Sequence, residues 1–349
     1  MVVRDVVIIG AGPSGLATAI AARRAGLSYV VLEKGVLVNS LFHFPTNMVY
    51  FTTPELLEIG GFPFVTPYAK PTRVEALNYY RRVVDACQLE IQLGEKVTRV
   101  FEDVDARGGD PVLAVETLSE RGVGRRHHGR TAVLATGAFD KPNLLGVPGE
   151  ELPHVSHYYL ESHPYYRQRV AVVGGQNSAA EAALELYRAG AHVTLVHRRA
   201  QLGGSIKYWV RPDIENRIKE GAVGVRFEAR VVEIRPASVV IERLGQREEL
   251  MADAVLLLTG YHSDTELFER AGVRYDPSTY APCFDPDTYE TNVAGLYVVG
   301  AAVTGRQSGR IFIENGRFHG EQVIRVIERR LHGGGKLEAR SKKQEVARD

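Results

Sequence analysis

Gly10, Gly12 and Gly15 stand at G-x-G-x-x-G spacing between the apolar run Val6-Val7-Ile8-Ile9 and an alanine-rich stretch that ends at Gly26. The chemistry such spacing serves is the holding of a pyrophosphate. Gly10 permits a tight turn, Gly12 lets a phosphate reach the backbone, and Gly15 lets a helix pack closely on the preceding strand. Pro13 and Ser14 fill the two variable places before Gly15. A helix that starts there presents unpaired N–H groups and a positive dipole end to an anion. A second apolar run, Tyr29-Val30-Val31-Leu32, ends at Glu33, placed to accept the hydroxyl protons of a ribose.

The pattern recurs at one constant offset. Val170-Ala171-Val172-Val173 leads into Gly174-Gly175-Gln176-Asn177-Ser178-Ala179, and an Ala/Leu-rich segment runs to Gly190. Val193-Thr194-Leu195-Val196 then ends at His197-Arg198-Arg199, where the first copy has Glu33. A repeat of a whole supersecondary unit means two nucleotide sites. An acid at that tip repels a 2′-phosphate, whereas a guanidinium pairs with it. The first copy therefore suits the ADP-ribose of FAD and the second suits NADPH. Gln176 replaces the middle glycine, so its side chain must turn from the pyrophosphate or bond to it.

The elements that position these residues follow from the spacing. Thr131 to Gly137 and Val255 to Gly260 each read as an apolar strand closed by Thr-Gly, and Gly295 to Gly300 as a further strand. Residues 101–130 read as hairpins. Apolar residues between 311 and 327 predict a final helix, whose N-terminus near Gly309–Phe312 would bring positive potential to the flavin. The fold class is α/β, with two Rossmann-like three-layer ββα domains. An NADPH domain (153–260) is inserted into a discontinuous FAD domain (1–152 and 261–332), with crossings at 138–152 and 260–264. Residues 333–349 show no periodic apolar face and are expected to be a disordered tail.

Composition sets the outer bounds. Lys plus Arg is 43 and Asp plus Glu is 42, a net charge of +1, which gives no global pull towards nucleic acid or anionic membrane. No apolar run suits a membrane span and no signal peptide is read, so a cytoplasmic location is expected. The two cysteines, Cys87 and Cys283, form no CxxC and no metal-type spacing, and both are expected to be buried, inert thiols; no metal is expected.

Two fingerprints, two Thr-Gly strands and an inserted NADPH domain resemble the low-molecular-weight thioredoxin reductase-like flavoproteins. Several stretches resemble the YpdA-type bacillithiol disulfide reductases within that superfamily: Leu37-Val38-Asn39-Ser40, Phe44-Pro45-Thr46, Leu57-Glu58-Ile59-Gly60, Val173 to Ala179, Ser205 to Pro212, and Ile311 to Gly320. The resemblance implies an FAD enzyme that takes hydride from NADPH, reduces bacillithiol disulfide without a CxxC relay, and forms a homodimer. Many members carry a cysteine, considered as the thiol nucleophile, where this chain has Ser14. A serine hydroxyl forms no mixed disulfide.

The expected FAD contacts are Gly10, Gly12, Pro13, Ser14, Gly15, Glu33, Lys34, Val97, Thr136, Gly137, Gly300, Ile311 and Phe312, with Asn39, Ser40, Pro45 and Phe51 as the bed of the ring. The expected NADPH contacts are Gly174, Gly175, Gln176, Asn177, Ser178, His197, Arg198, Arg199 and Gly260. Ser14, His43 and His319 are the catalytic candidates, the histidines as proton donors to a departing thiolate, with FAD itself the redox centre. Three other classes stay open: a ferredoxin- or flavodoxin-NADP reductase of the same architecture, which needs no redox cysteine; a flavin monooxygenase; and a non-catalytic FAD/NADPH redox sensor. Replacing Arg198 and Arg199 together by alanine is expected to raise the KM for NADPH more than that for NADH. Equal changes in steady-state assays would remove the 2′-phosphate assignment.

Overall fold

The computed structural model describes residues 2–104, 112–307 and 309–332. The expected tail at 333–349 lies outside the described residues. The chain divides into two compact units: one holds the described residues of Met1–Phe42, Val49–Lys141 and Tyr261–Asp349, the other His43–Met48 and Pro142–Gly260. His43–Met48 and residues 142–152 thus fall in the second unit, whereas the sequence reading placed both in the first.

The first unit opens with β1 (Val3–Ile9), α1 (Pro13–Arg24) and β2 (Tyr29–Glu33). Val6, Val7 and Ile8 are fully buried, because a parallel strand is covered on both faces and its apolar run need not alternate. Pro13 at the first helical position sets φ for α1 and removes an N–H that would have no partner there. α2 (Arg73–Cys87) starts on a capping box between Thr72 and Glu75. β3 (Ile91–Leu93), β4 (Glu95–Asp103), β5 (Val112–Ser119) and β6 (Gly124–Leu134) follow.

These strands form one sheet in the order β3-β2-β1-β6-β5-β4. β6 serves two partners along its length: its first half pairs antiparallel with β5, and its second half pairs parallel with β1. The hairpins read from the sequence are β4–β5 and β5–β6, both antiparallel.

In the second unit, β7 (Val155–Ser156), β8 (Arg169–Val173), α3 (Asn177–Arg188) and β9 (His192–His197) repeat the opening arrangement. α4 (Arg211–Lys219) and β10 (Gly224–Phe227) come next. An antiparallel meander of β11 (Ala229–Arg235), β12 (Ser238–Arg243) and β13 (Gln246–Met251) leads to β14 (Ala254–Leu257). The parallel sheet has the order β10-β9-β8-β14-β7. The buried face of α3, including Ala183 and Leu186, packs with Leu195 and Ile214.

The chain returns to the first unit, where β15 (Leu296–Val298) joins β6 in parallel and α5 (His319–His332) closes the described chain. Gly320 lets α5 approach α1, since a Cβ there would overlap the Thr18 hydroxyl. The final helix is shorter than the sequence pattern predicts. Ile313–Gly316 forms a separate single turn, and α5 begins only at His319.

Candidate functional site

The first nucleotide cradle is built by crowding. Gly10 has φ +110°, and a Cβ there would press on the Ala135 carbonyl oxygen. A Cβ on Gly15 would overlap the Gly10 carbonyl oxygen, whereas one on Gly12 would meet nothing within 4 Å. Gly15 is therefore demanded by the fold, and Gly12 faces open space at the N-terminus of α1. This is the division of labour that a pyrophosphate site needs.

Glu33 is 5% exposed at the end of β2 and accepts hydrogen bonds from the Ala11 N–H at 2.8 Å and the Gly35 N–H at 3.0 Å. Burial raises its pKa, and the two backbone donors work against the rise. Each carboxylate oxygen keeps a second lone pair for a ligand hydroxyl. Beside it lies an open cavity of about 360 Å³ lined by Lys34, Asn39, Lys96 and Ser119, among others. Lys34 also pairs with Asp140 at 2.8 Å. Val97 is half-buried in β4 next to Lys96.

At the other end of the unit, Ser14 Oγ donates to the Gly316 carbonyl at 3.2 Å, and a Cβ on Gly300 would strike the Ser14 side chain. Ser14 thus ties the fingerprint to the turn at Ile313–Gly316. The Phe312 N–H donates to Asn315 Oδ1 at 2.8 Å, and the turn is only four residues long. The positive helix end expected near Gly309–Phe312 is not what the fold provides: the first N–H is occupied and one turn has little dipole. Ile311 is half-buried and Phe312 exposed.

His319 is buried, its Nδ1 accepts the Gly300 N–H at 3.2 Å, and its ring leans on Tyr289 at 4.6 Å. Burial lowers its pKa, so the ring is neutral and holds Gly300 in place. His43 is exposed and, with Pro45, belongs to the second unit, whereas Asn39, Ser40 and Phe51 belong to the first. Gly137 has φ +69° and Thr136 has a buried hydroxyl with no hydrogen-bond partner among the described residues. The Tyr50 hydroxyl is likewise orphaned, in a residue 6% exposed, and the sequence reading missed it. Buried orphan hydroxyls are costly, and both lie in segments expected to meet the flavin. They fit a polar ligand there. Cys87 is buried and burial raises its thiol pKa; Cys283 is exposed, against expectation.

The second cradle differs in how it treats its side chains. The His197 ring covers Gly175, where a Cβ would collide with it, and burial beside Arg199 and Arg198 lowers its pKa. His197 is therefore a neutral lid on the turn, and the positive charge comes from the two arginines. Arg198 and Arg199 are exposed, and no carboxylate pairs with either among the described residues. Gln176 turns aside: its Oε1 accepts from the Ser205 hydroxyl. Asn177 Nδ2 donates to the Ser205 carbonyl at 3.1 Å, and its Oδ1 accepts the Lys207 N–H at 2.9 Å. Ser178 is exposed. The Gly260 carbonyl accepts the Asn143 N–H at 2.9 Å. One turn along α3, burial and the nearby Glu185 push the Glu181 pKa up to about 7, with Lys207 opposing. Among the described residues no group of His, Cys, Asp and Glu could hold a metal ion, and no helix is long and apolar enough to cross a membrane.

Residues 7–300 match the family described as pyridine nucleotide-disulphide oxidoreductase. The chain belongs to that family. It is a flavoprotein oxidoreductase with FAD- and NAD(P)H-binding Rossmann-like domains. It is 39% identical over 332 residues to bacilliredoxin reductase Bdr of Bacillus subtilis, covering 95% of this chain and 99% of that protein. Its fold matches bacillithiol disulfide reductase Bdr (YpdA) from Bacillus cereus with a TM-score of 0.90 at 38% identity, over 94% of this chain and 99% of that one. The enzyme of that name from Staphylococcus aureus matches with a TM-score of 0.87 at 35% identity, over 94% and 98%.

Two outcomes test this description. Gly12→Ala is expected to leave thermal stability nearly unchanged but cut FAD retention, whereas Gly15→Ala costs about 2–4 kcal/mol of stability; equal melting temperatures would refute the contrast. Glu181 has a folded-state pKa above its unfolded value, so its ionisation destabilises the fold as pH rises from about 4.5 to 7. Glu181→Gln should therefore stabilise by about 1–3 kcal/mol at pH 8 and by almost nothing near pH 4.5, read by denaturant melts.

Proposed function

We propose that this flavoprotein oxidises NADPH and reduces a low-molecular-weight disulfide, with bacillithiol disulfide as substrate and no CxxC relay. The observation that carries the nucleotide choice is the charge contrast between the two strand tips. Glu33 is buried and carboxylate-bearing, while Arg198 and Arg199 stand exposed with no carboxylate partner among the described residues. An unpaired guanidinium pair is suited to a 2′-phosphate, which NADPH has and NADH lacks. The substrate choice is supported by the likeness to the Bdr enzymes, which extends over nearly the whole chain.

The chain's own residues bind and orient. Gly12 and the N-terminus of α1 would receive the FAD pyrophosphate, Glu33 the ribose hydroxyls, and the Thr136 and Tyr50 hydroxyls, unpartnered among the described residues, would bond to the cofactor. Arg198 and Arg199 would hold the 2′-phosphate, and His197 keeps Gly175 screened from water. Bound FAD supplies the redox chemistry, accepting a hydride and passing two electrons to the disulfide. The balance is NADPH, a proton and one disulfide in, NADP⁺ and two thiols out. Ser14 is a structural link in this scheme, since its hydroxyl is committed to the Gly316 carbonyl.

A second reading has one observation in its favour. No thiol stands in the first fingerprint, and a ferredoxin- or flavodoxin-NADP reductase needs none. Anaerobic stopped-flow separates the two. NADPH should bleach the flavin, and bacillithiol disulfide should restore its colour faster than ferredoxin or flavodoxin does. Faster reoxidation by a carrier protein would replace the disulfide reading, and failure to bleach would end both. Ser14→Ala should keep disulfide turnover within about threefold while losing about 1 kcal/mol of stability; loss of turnover with a normal flavin spectrum would give Ser14 a chemical role.

A further inference from the structure

The stretch Ser205 to Pro212 is a distinctive motif of this sequence to which the reaction above assigns no task. In the second unit it begins as a loop sewn to the start of α3. Gln176 and Asn177 together hold Ser205 and Lys207 through side-chain hydrogen bonds, and the Gly203 N–H donates to the Gly175 carbonyl at 2.8 Å. Gly203 packs closely on the Gln176 amide, which a Cβ there would push aside. Arg211 closes the far side by donating to the Gly203 carbonyl. The fingerprint has therefore given up its middle glycine for a side chain that anchors a loop.

What the loop carries is aromatic. Tyr208 and Trp209 are adjacent, edge to face with centroids 4.8 Å apart, and 82% and 40% exposed. Exposing such rings has no benefit for folding, and each has a flat face suited to a base. The anchors at Gln176 and Asn177 sit at the helix N-terminus where a pyrophosphate binds. The rings are thereby fastened to the part of the unit from which both ends of a dinucleotide extend.

We propose that the loop Gly203–Trp209 is a nucleotide clamp, in which Tyr208 or Trp209 stacks on an aromatic ring of NADP(H) and Gln176 and Asn177 are positioning residues that act through the loop. The proposal rests on the NADPH reading of the second cradle.

Trp209 is the chain's one tryptophan, so its emission reports on the clamp alone. Titrating the FAD-loaded protein with NADP⁺ should quench that emission saturably. Tyr208→Ala combined with Trp209→Ala should raise the NADP⁺ Kd, read by equilibrium dialysis, about tenfold. Weakening of 2′,5′-ADP in parallel would locate the stacking at adenine; unchanged 2′,5′-ADP binding would locate it at nicotinamide, and either result supports the clamp. Asn177→Ala should shift Trp209 emission to the red and weaken NADP⁺ binding while FAD content stays the same. An unchanged NADP⁺ Kd in the double variant overturns the clamp and leaves the NADPH reading standing. Failure of the wild-type protein to bind NADP⁺ overturns both.

Discussion

The close approach of a helix N-terminus to a buried strand end governs the first unit. It exists because Gly15 has no side chain to meet the Gly10 carbonyl. With the helix that close, the backbone N–H groups of its first turn converge on one point that water alone would otherwise fill. Everything nearby is arranged around that point. Glu33 arrives at the end of β2, Ser14 holds the turn at Ile313–Gly316, and Gly300 fits against Ser14 under the grip of His319. Packing supplies the shape, and electrostatics at the strand tips decides what fills it.

The second unit meets the same geometric demand differently. Ala179 stands where the first copy has Gly15, Gln176 where it has Gly12, and the tip carries guanidiniums in place of a carboxylate. Gly174 is hemmed in, since a Cβ there would press on the Leu258 carbonyl oxygen and the Ala179 methyl, and the Gln176 amide is drawn off by Ser205. Duplicated frameworks can thus diverge at the places where they touch a ligand while keeping the strands and helices that present it.

Most of the framework was legible in the sequence, because buried parallel strands leave apolar runs and glycine spacing marks the turns between them. The two fingerprints, the Thr-Gly strands and the hairpins all follow from such local signals. What was illegible depends on contacts between distant residues. Nothing near residue 311 announces that the final helix breaks after Gly316; that follows from Asn315 capping the Phe312 N–H and from the Ser14 bond across the unit. The exposure of Cys283 and the orphaned Tyr50 hydroxyl are tertiary facts with no periodic trace. Gln176 did carry a signal, as a bulky residue at a glycine position, but its partner Ser205 could not be named from spacing.

The contact of α5 with α1 across Gly320 and Thr18 has a consequence for how the protein is made. β1 and α1 cannot complete their packing until β15 and α5 have been made, since both are needed to finish the sheet and cover the first helix. Most of the second unit, by contrast, is one uninterrupted stretch of chain and has its own buried core. Domains tend to fold as units during synthesis. The unit written between the two parts of the other is therefore the one able to assemble first, while β1 and α1 wait for β15 and α5.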